Sequence, residues 1–179
     1  MAHNIKGVLI SREEIAKVVD DLAARISQDY AGKELVVIGV LKGSFIFLAD
    51  LVRKIDLPII IDFMSVSSYY GGTKSSGVVK IIKDLDNDIE GKHVLIVEDI
   101  VDSGLTLQNL KEMLLTRNPA SLRVCAAFDK PERRKTDITA EYTGMLIPDE
   151  FIIGYGLDYD GSYRSLPDVC ILSVDGGNE

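Results

Sequence analysis

Three carboxylates crowd into five residues where a strongly apolar segment ends. Glu98 and Asp99 follow the run VLIV, and Asp102 comes three residues later. Two adjacent carboxylates in a poorly solvated position repel each other, which raises the pKa of one of them. The vicinal hydroxyls of a sugar or a hydrated Mg²⁺ would relieve this repulsion. A solvated acidic loop that binds nothing is the alternative reading of these three residues.

A short turn with a glycine follows the acids and leads into an amphipathic segment. Its sequence is Asp102-Ser103-Gly104-Leu105-Thr106. The first turn of a helix leaves backbone N–H groups unpaired and carries the positive end of the helix dipole, so it attracts phosphate. An ordinary helix cap would account for the same pattern. Together, the acids and the turn suit a sugar phosphate whose hydroxyls lie on the acids and whose phosphate lies in the turn, with a metal ion beside them.

The elements that must position these groups alternate along the chain. Helices are predicted at about 11–28, after the turn at 41–44, and at about 105–116; Ser11 and Glu14 form a capping box. The predicted strands cover 34–40, 57–66, 78–82, the segment from 94 that closes at the acids, 122–128, 151–159 and 168–173. This alternation predicts an α/β fold with a Rossmann-like parallel sheet flanked by helices. Ligands of such sheets bind beyond the carboxyl ends of the strands, so we expect loops 41–44, 99–106 and 129–135 to lie close together.

Composition narrows the class of protein. The chain has 20 basic and 28 acidic residues, a net charge of −8, which argues against general binding of nucleic acid. No apolar run approaches the ~20 residues of a membrane helix, and the first residues lack the apolar region of a signal peptide. We therefore expect a cytoplasmic protein of one domain without a membrane partner. Cys125 and Cys170 lie in apolar runs and are predicted to be buried, reduced thiols.

The acidic segment resembles the phosphoribosyl pyrophosphate (PRPP) motif of type I phosphoribosyltransferases. In both, a hydrophobic strand is followed by Glu-Asp, two aliphatic residues and Asp-[Ser/Thr]-Gly-x-Thr. Other segments resemble that family in the same order: LKGS (41–44) its pyrophosphate loop, SSYYGG (67–72) its mobile catalytic loop, FDKPERR (128–134) its purine-reading lysine segment, and PDEFIIGYGLDYDGSYRSLP (148–167) the purine-site stretch of members that use hypoxanthine and guanine. The resemblance implies that family's fold in one domain, 1–179, with a small hood formed by the N- and C-terminal segments and a mobile lid at about 67–77.

The resemblance also implies a role for each matching residue. Asp102 matches the general acid/base that handles the proton on the purine's imidazole nitrogen, and Lys130 matches the donor to the purine's 6-oxo group. The bond between Leu41 and Lys42 matches a peptide that is often cis. The other implied assignments are ribose 5-phosphate binding by Glu98, Asp99, Ser103, Gly104, Leu105 and Thr106; pyrophosphate binding by Lys42, Gly43 and Arg164; purine binding by Lys130, Phe151, Ile152 and Asp158; lid residues Ser68 and Tyr69; metal binding by Glu98, Asp99 and Asp158; and a supporting role for Arg134.

The activity that the resemblance implies is purine salvage. The 5-phosphoribosyl group would pass from PRPP to hypoxanthine and guanine, giving IMP and GMP plus pyrophosphate, with Mg²⁺ as cofactor and a homodimer or homotetramer as the assembly. One alternative is a regulator on the same fold that senses PRPP or a nucleotide. Another is a transferase that prefers xanthine or hypoxanthine alone. The short acidic chain retains the candidate base, lid and purine segment, which favours the enzyme.

Overall fold

The computed structural model describes residues 4–68 and 79–173, which form two β-sheets and the helices that pack on them. Six strands form the main sheet in the order β4-β3-β2-β5-β6-β7, and three form a smaller sheet in the order β1-β9-β8. The elements in chain order are β1 (Asn4–Ile10), α1 (Arg12–Asp29), β2 (Leu35–Leu41), α2 (Phe45–Val52), β3 (Ile59–Ser68), β4 (Val79–Lys83), β5 (His93–Val101), α3 (Leu105–Leu115), β6 (Ser121–Asp129), a 3-10 turn (Pro131–Arg133), β7 (Tyr142–Leu146), β8 (Ile152–Ile153) and β9 (Val169–Ser173).

The main sheet is parallel except at one edge. Strand β2 pairs in parallel with β3 and β5, β5 with β6, and β6 with β7, whereas β4 pairs antiparallel with β3. The central strands β2 and β5 are buried on both faces, which explains why they read as continuous apolar runs. The predicted α/β class is confirmed, with an antiparallel edge strand that the sequence pattern did not distinguish from its neighbours.

Helices cover both faces of the main sheet. One face packs against α1 and α2, and α1 buries Ile15, Val19, Leu22, Ala23 and Ile26 there. The other face packs against α3 through Leu107, Leu110 and Leu114. The predicted capping box is confirmed, because the side chains and backbone amides of Ser11 and Glu14 bond reciprocally at the start of α1. Both cysteines are free and buried, as predicted.

The small sheet joins the two ends of the chain as a hood. Strand β9 pairs antiparallel with β1 on one side and with β8 on the other. Strands β1 and β7 had no counterpart among the predicted elements. The residues of β1 are mostly exposed and those of β7 are mostly partly buried, so neither carries a clear apolar alternation.

Three predicted element boundaries were wrong. The strand predicted at 151–159 is only Ile152–Ile153, because the chain then turns through residues with positive φ that no strand accommodates. Strand β5 continues past the acids to Val101, and β3 continues through Ser68. The rest of the predicted lid, including Tyr69, lies outside the described residues. No helix in the described ranges is both long and apolar enough to cross a membrane.

Candidate active site

The acids lie in a cavity at the carboxyl ends of the central strands. It has a volume of about 270 Å³, and its lining includes Glu98, Asp99, Asp102, Gly43 and residues 103–107 other than Leu105. A larger cavity of about 480 Å³ lies between α1, α2 and the C-terminal segment and is lined mainly by apolar groups. The smaller cavity is the better candidate site, because carboxylates, a helix N-terminus and a glycine turn converge on it.

Burial makes the two adjacent acids of β5 hard to ionise. The pKa of Glu98 lies well above its usual range because burial disfavours the charged form and the charge of Asp99 adds to the effect. Burial also raises the pKa of Asp99, to about 6, although the backbone N–H of Ile100, at 2.7 Å, and the charge of Arg164 act in the opposite direction. Hydrogen-bond donors or a cation would stabilise both carboxylates.

The loop at 41–44 lies directly against these acids. A Cβ at Gly43 would lie 1.6 Å from Asp99 Oδ2, so only glycine permits this approach. The peptide bond between Leu41 and Lys42 is cis, which confirms the expectation from the family resemblance. The buried Ser44 hydroxyl donates to the Val40 carbonyl at 2.7 Å and fixes the turn into α2. Lys42 is exposed beside this cavity-lining glycine.

The turn after Asp102 presents the N-terminus of α3 to the same cavity. Gly104 is the N-cap, with a φ of 81°, and the Ser103 hydroxyl accepts from the Leu105 amide at 3.3 Å. Behind the turn, a Cβ at Gly104 would lie 2.5 Å from Thr136 Oγ1. The turn is thus fixed from behind, and its cavity side can receive an anion.

The third predicted loop holds the acidic loop in place. The Arg134 guanidinium donates to the Asp102 carbonyl at 3.2 Å and pairs with the Asp129 carboxylate. The Lys135 amide donates to the Ser103 carbonyl at 2.8 Å. The predicted proximity of loops 41–44, 99–106 and 129–135 is therefore confirmed, and Arg134 contacts the backbone and acid that support the site.

The two oxygens of the Asp102 side chain differ in accessibility. Its Oδ1 is enclosed by protein and has no hydrogen-bond partner among the described residues. A neighbouring cation is Arg133, whose Nε lies 4.0 Å from this oxygen and also bonds to Asp149. Because Oδ1 is enclosed while the side chain as a whole is 47% exposed, a ligand meets this carboxylate at Oδ2, which can take a proton from it.

A second group of predicted residues includes Lys130, which lies near Asp102. Lys130 is only 6% exposed, and its Nζ donates to the Glu150 carbonyl at 2.6 Å. Burial lowers the pKa of Lys130, while the nearby Asp102 carboxylate opposes that shift. The Phe151 ring is 44% exposed and meets the Tyr159 ring edge to face, with centroids 5.5 Å apart. Ile152 is buried in β8. The exposed Phe151 ring thus offers an aromatic face, and the Lys130 ammonium is bonded to the carbonyl of Glu150, the residue before Phe151.

Arg164, in the C-terminal segment, lies near enough to the acids for its charge to oppose the rise in the pKa of Asp99 that burial causes. It pairs with Asp158 at 2.8 Å and donates to the Gly156 carbonyl at 2.7 Å. Gly156 in turn lies against the loop at 41–44, since a Cβ there would lie 2.1 Å from the Gly43 carbonyl oxygen. Sequence reasoning missed Gly156 and Asp129. The GYG triplet at 154–156 was the one local signal for the first, and nothing local marked the second.

The comparisons with known proteins agree with this geometry. A family model described as a phosphoribosyl transferase domain matches residues 10–160. A curated hypoxanthine-guanine phosphoribosyltransferase of Staphylococcus aureus is 52% identical over 175 residues, 98% of each chain, and one of Streptococcus pneumoniae is 50% identical over 98% of this chain and 97% of its own.

Solved structures are similar over the same span. A crystal structure of a hypoxanthine phosphoribosyltransferase from Staphylococcus aureus has a TM-score of 0.92 and 51% identity, covering 94% of this chain and 92% of that chain. A hypoxanthine-guanine phosphoribosyltransferase from Bacillus anthracis has a TM-score of 0.90 and 50% identity, covering 96% of this chain and 99% of that chain.

Proposed function

The chain belongs to the phosphoribosyl transferase family, and we propose that it transfers the 5-phosphoribosyl group from PRPP to hypoxanthine and guanine. The products are IMP or GMP and pyrophosphate, so the reaction is one of purine salvage. The observation that carries this proposal is that the acids of β5 and the N-terminus of α3 line one cavity. A pentose can be held there by its hydroxyls on one side and its 5′-phosphate on the other.

The ribose 5-phosphate fits between the acids and the helix. Glu98 and Asp99 accept hydrogen bonds from the ribose hydroxyls, which replaces the hydration that burial removes from these carboxylates. The 5′-phosphate lies on the backbone amides of residues 103–106, and the hydroxyls of Ser103 and Thr106 lie at the same turn. The helix dipole adds a favourable potential there.

Asp102 serves as the general base. As the imidazole nitrogen of the purine attacks the anomeric carbon, the carboxylate accepts the proton from that ring. The ribose develops oxocarbenium character as the bond to pyrophosphate breaks, as in glycosyl transfer generally. Lys42 and Arg164 stabilise the negative charge of the departing pyrophosphate from the 41–44 side of the cavity.

The purine lies on the side of Lys130 and Phe151. The ammonium of Lys130 donates to the 6-oxo group, the Phe151 ring stacks on the base, and the Ile152 backbone reads its edge. Adenine carries an amine donor at the 6-position, so it would place donor against donor at Lys130. This contact supports a preference for 6-oxopurines.

Mg²⁺ is the proposed cofactor. The described residues contain no cluster of three or more His, Cys, Asp or Glu side chains of the kind that holds a metal by itself. Mg²⁺ commonly needs only one or two carboxylates when substrate phosphates and waters supply the other ligands. The partly buried carboxylates of Glu98, Asp99 and Asp158 fit that requirement. When bound, the ion would neutralise charge on the pyrophosphate group.

Two further assignments are proposals from the family resemblance. Ser68 and Tyr69 would belong to a lid over about 67–77 that excludes water, because water would otherwise hydrolyse PRPP.

The chain would form a homodimer or homotetramer. Light scattering coupled to size-exclusion chromatography would measure the mass of the assembly, and a monomer at micromolar concentration would contradict this second proposal.

The activity is tested with purified protein, PRPP and Mg²⁺, by offering hypoxanthine, guanine, xanthine and adenine separately. We expect nucleotide from hypoxanthine and guanine and little from adenine. Nucleotide from xanthine or hypoxanthine alone would favour the narrower transferase. PRPP binding without nucleotide from any 6-oxopurine would overturn the enzyme and favour the regulator.

A further inference from the structure

We propose that Tyr155 is a positioning residue for the pyrophosphate side of the site, acting through Asp50 and the loop at 41–44. The proposal rests on the function proposed above. Tyr155 is not among the residues assigned to substrate, and its hydroxyl donates to Asp50 on helix α2, with an O–O distance of 2.8 Å.

Tyr155 occupies the middle of a left-handed turn. The φ angles of Gly154, Tyr155 and Gly156 are 95°, 50° and 99°. Glycine adopts such angles readily, but a tyrosine rarely does, so its side chain must be held by its surroundings. The ring is only 5% exposed and packs edge to face on Phe128, with centroids 6.5 Å apart.

The hydrogen bond of the Tyr155 hydroxyl fixes the orientation of the buried side chain. Burial and the Asp50 carboxylate raise the pKa of Tyr155, so the hydroxyl keeps its proton and donates it. The other oxygen of Asp50 contacts the exposed Arg53 side chain. One carboxylate therefore joins the buried turn to helix α2.

The turn at 154–156 contacts both the loop at 41–44 and Arg164, which are assigned to pyrophosphate. Gly156 lies so close to the Gly43 carbonyl that a Cβ would come within 2.1 Å of it. The Gly156 amide donates to the Arg164 carbonyl at 3.0 Å, and its carbonyl accepts from the Arg164 guanidinium at 2.7 Å. A shift of the turn would therefore move the loop at 41–44 and Arg164 together.

Helix α2 closes the connection from the other end. It begins at Phe45, directly after the loop, so the bond between Tyr155 and Asp50 fixes that loop both through the helix and through the turn. Phe151 and Ile152, which are assigned to the purine, have a separate anchor. Ile152 pairs with Ile171 in the hood sheet, and the Leu172 amide donates to the Phe151 carbonyl at 2.9 Å. Loss of the Tyr155 hydroxyl should thus affect the pyrophosphate side selectively.

The test is Tyr155→Phe in the full-length chain, which keeps the ring and removes the hydroxyl. We expect the KM for PRPP, and the dissociation constant for pyrophosphate measured by calorimetry with Mg²⁺, to rise about three- to tenfold, the usual effect of one lost hydrogen bond. The KM for hypoxanthine should change by less than about twofold. Equal rises in the KM values for PRPP and hypoxanthine would overturn the proposal. So would a lower melting temperature with unchanged pyrophosphate binding.

Variants of the partner carboxylate sharpen this test. Asp50→Leu should reproduce the effect of Tyr155→Phe. The double variant should weaken pyrophosphate binding little more than either single variant, because the two residues make one interaction. Arg53→Ala removes the other contact of Asp50 and should leave pyrophosphate binding unchanged. Calorimetry needs no turnover. A chain whose affinity for pyrophosphate depends on the Tyr155 hydroxyl, but which transfers nothing to a purine, would contradict the proposed function and not this inference.

Discussion

At the scale of single residues, the acids of β5 illustrate how burial prepares a site for a ligand. Glu98 and Asp99 have raised pKa values because protein replaces the water around them. A ligand that donates hydrogen bonds or brings a cation recovers the solvation that these carboxylates lack. Asp102 differs, since its side chain is 47% exposed and only one of its oxygens, Oδ1, is enclosed. The same acidic segment therefore offers two binding groups and one candidate base.

Asp102→Asn should separate catalysis from binding. The amide keeps the size of the side chain but cannot accept the proton, so we expect kcat to fall roughly 10²- to 10⁴-fold, the usual contribution of a general base. The dissociation constant for PRPP should change little. Steady-state kinetics and calorimetry give the two quantities. A large loss of PRPP affinity with unchanged kcat would contradict the assignment.

Lys130→Ala should mainly weaken selectivity for 6-oxopurines. The ratio of kcat/KM for hypoxanthine to that for adenine should fall about tenfold or more, as expected when a site loses the charged donor that a substrate oxygen requires. Lys130→Met is the matched variant, because it keeps the aliphatic stem and removes the ammonium. If the alanine variant lost selectivity and the methionine variant did not, side-chain packing and not the ammonium would be responsible.

At the scale of elements, the start of α3 depends on one glycine. Gly104 has a left-handed φ of 81°, and Thr136, Ile138 and Arg134 pack behind it. The N-cap glycine has no side chain to bond the first amides of the helix, although the Ser103 hydroxyl accepts from the Leu105 amide. The geometry that favours phosphate thus comes from the turn and its support by residues 134–138.

Gly104→Ala should destabilise this turn for two reasons. The backbone conformation costs an L-residue about 1–2 kcal/mol, and the new Cβ would press on the Thr136 side chain. We expect the KM for PRPP to rise at least about tenfold, from displacement of the phosphate-binding amides. Gly91→Ala is the control, because Gly91 has a similar φ of 70° and no atom within 4 Å of its Cβ position. It should lower the free energy of unfolding without changing the KM for PRPP.

At the scale of the whole molecule, the first and last described strands are joined to helix α1, which packs on one face of the main sheet. Strands β1 and β9 pair in the hood, and α1 follows β1 directly. Asp168, just before β9, accepts three hydrogen bonds from the amide and guanidinium of Arg12 at the start of α1. This connection ties the first and last described strands to the main sheet, and the single domain over 1–179 stays a prediction.

The contact between Arg12 and Asp168 predicts a pH dependence of stability. Hydrogen bonds from the Arg12 side chain and amide lower the pKa of Asp168. A depressed pKa in the folded state stabilises the fold above the unfolded value of about 3.9 and ceases to do so as the pH falls through the folded value. Asp168→Asn should therefore lower the free energy of unfolding at pH 7 and make progressively less difference below about pH 4.

Urea unfolding at several pH values measures this difference. Asp137→Asn, at an exposed aspartate, is the control and should leave the pH profile of wild type unchanged. A destabilisation by Asp168→Asn that persisted undiminished at pH 2 to 3 would show that the carboxylate charge is not its cause.

Local sequence patterns were sufficient to predict an element where a segment determines its own conformation. The capping box of Ser11 and Glu14, the apolar face of α3 and the buried central strands follow from residues a few positions apart. The acidic loop could be placed as well, because the carboxyl ends of parallel strands meet at one edge. The predicted strand at 151–159 was wrong because alternating apolar residues hid three consecutive positive φ angles.

The sequence by itself determined the class of fold, the acidic and phosphate-binding segments and the family to which their order points, since each depends on residue types at short spacing. Only the tertiary structure decided that Gly156 lies on Gly43, that Tyr155 bonds to Asp50, and that Arg134 supports Asp102 from a separate strand end. These contacts join residues up to 113 positions apart, as 156 − 43 = 113 for the two glycines. Packing of the sheet and its helices brings such residues together, and no local pattern records which partners will meet.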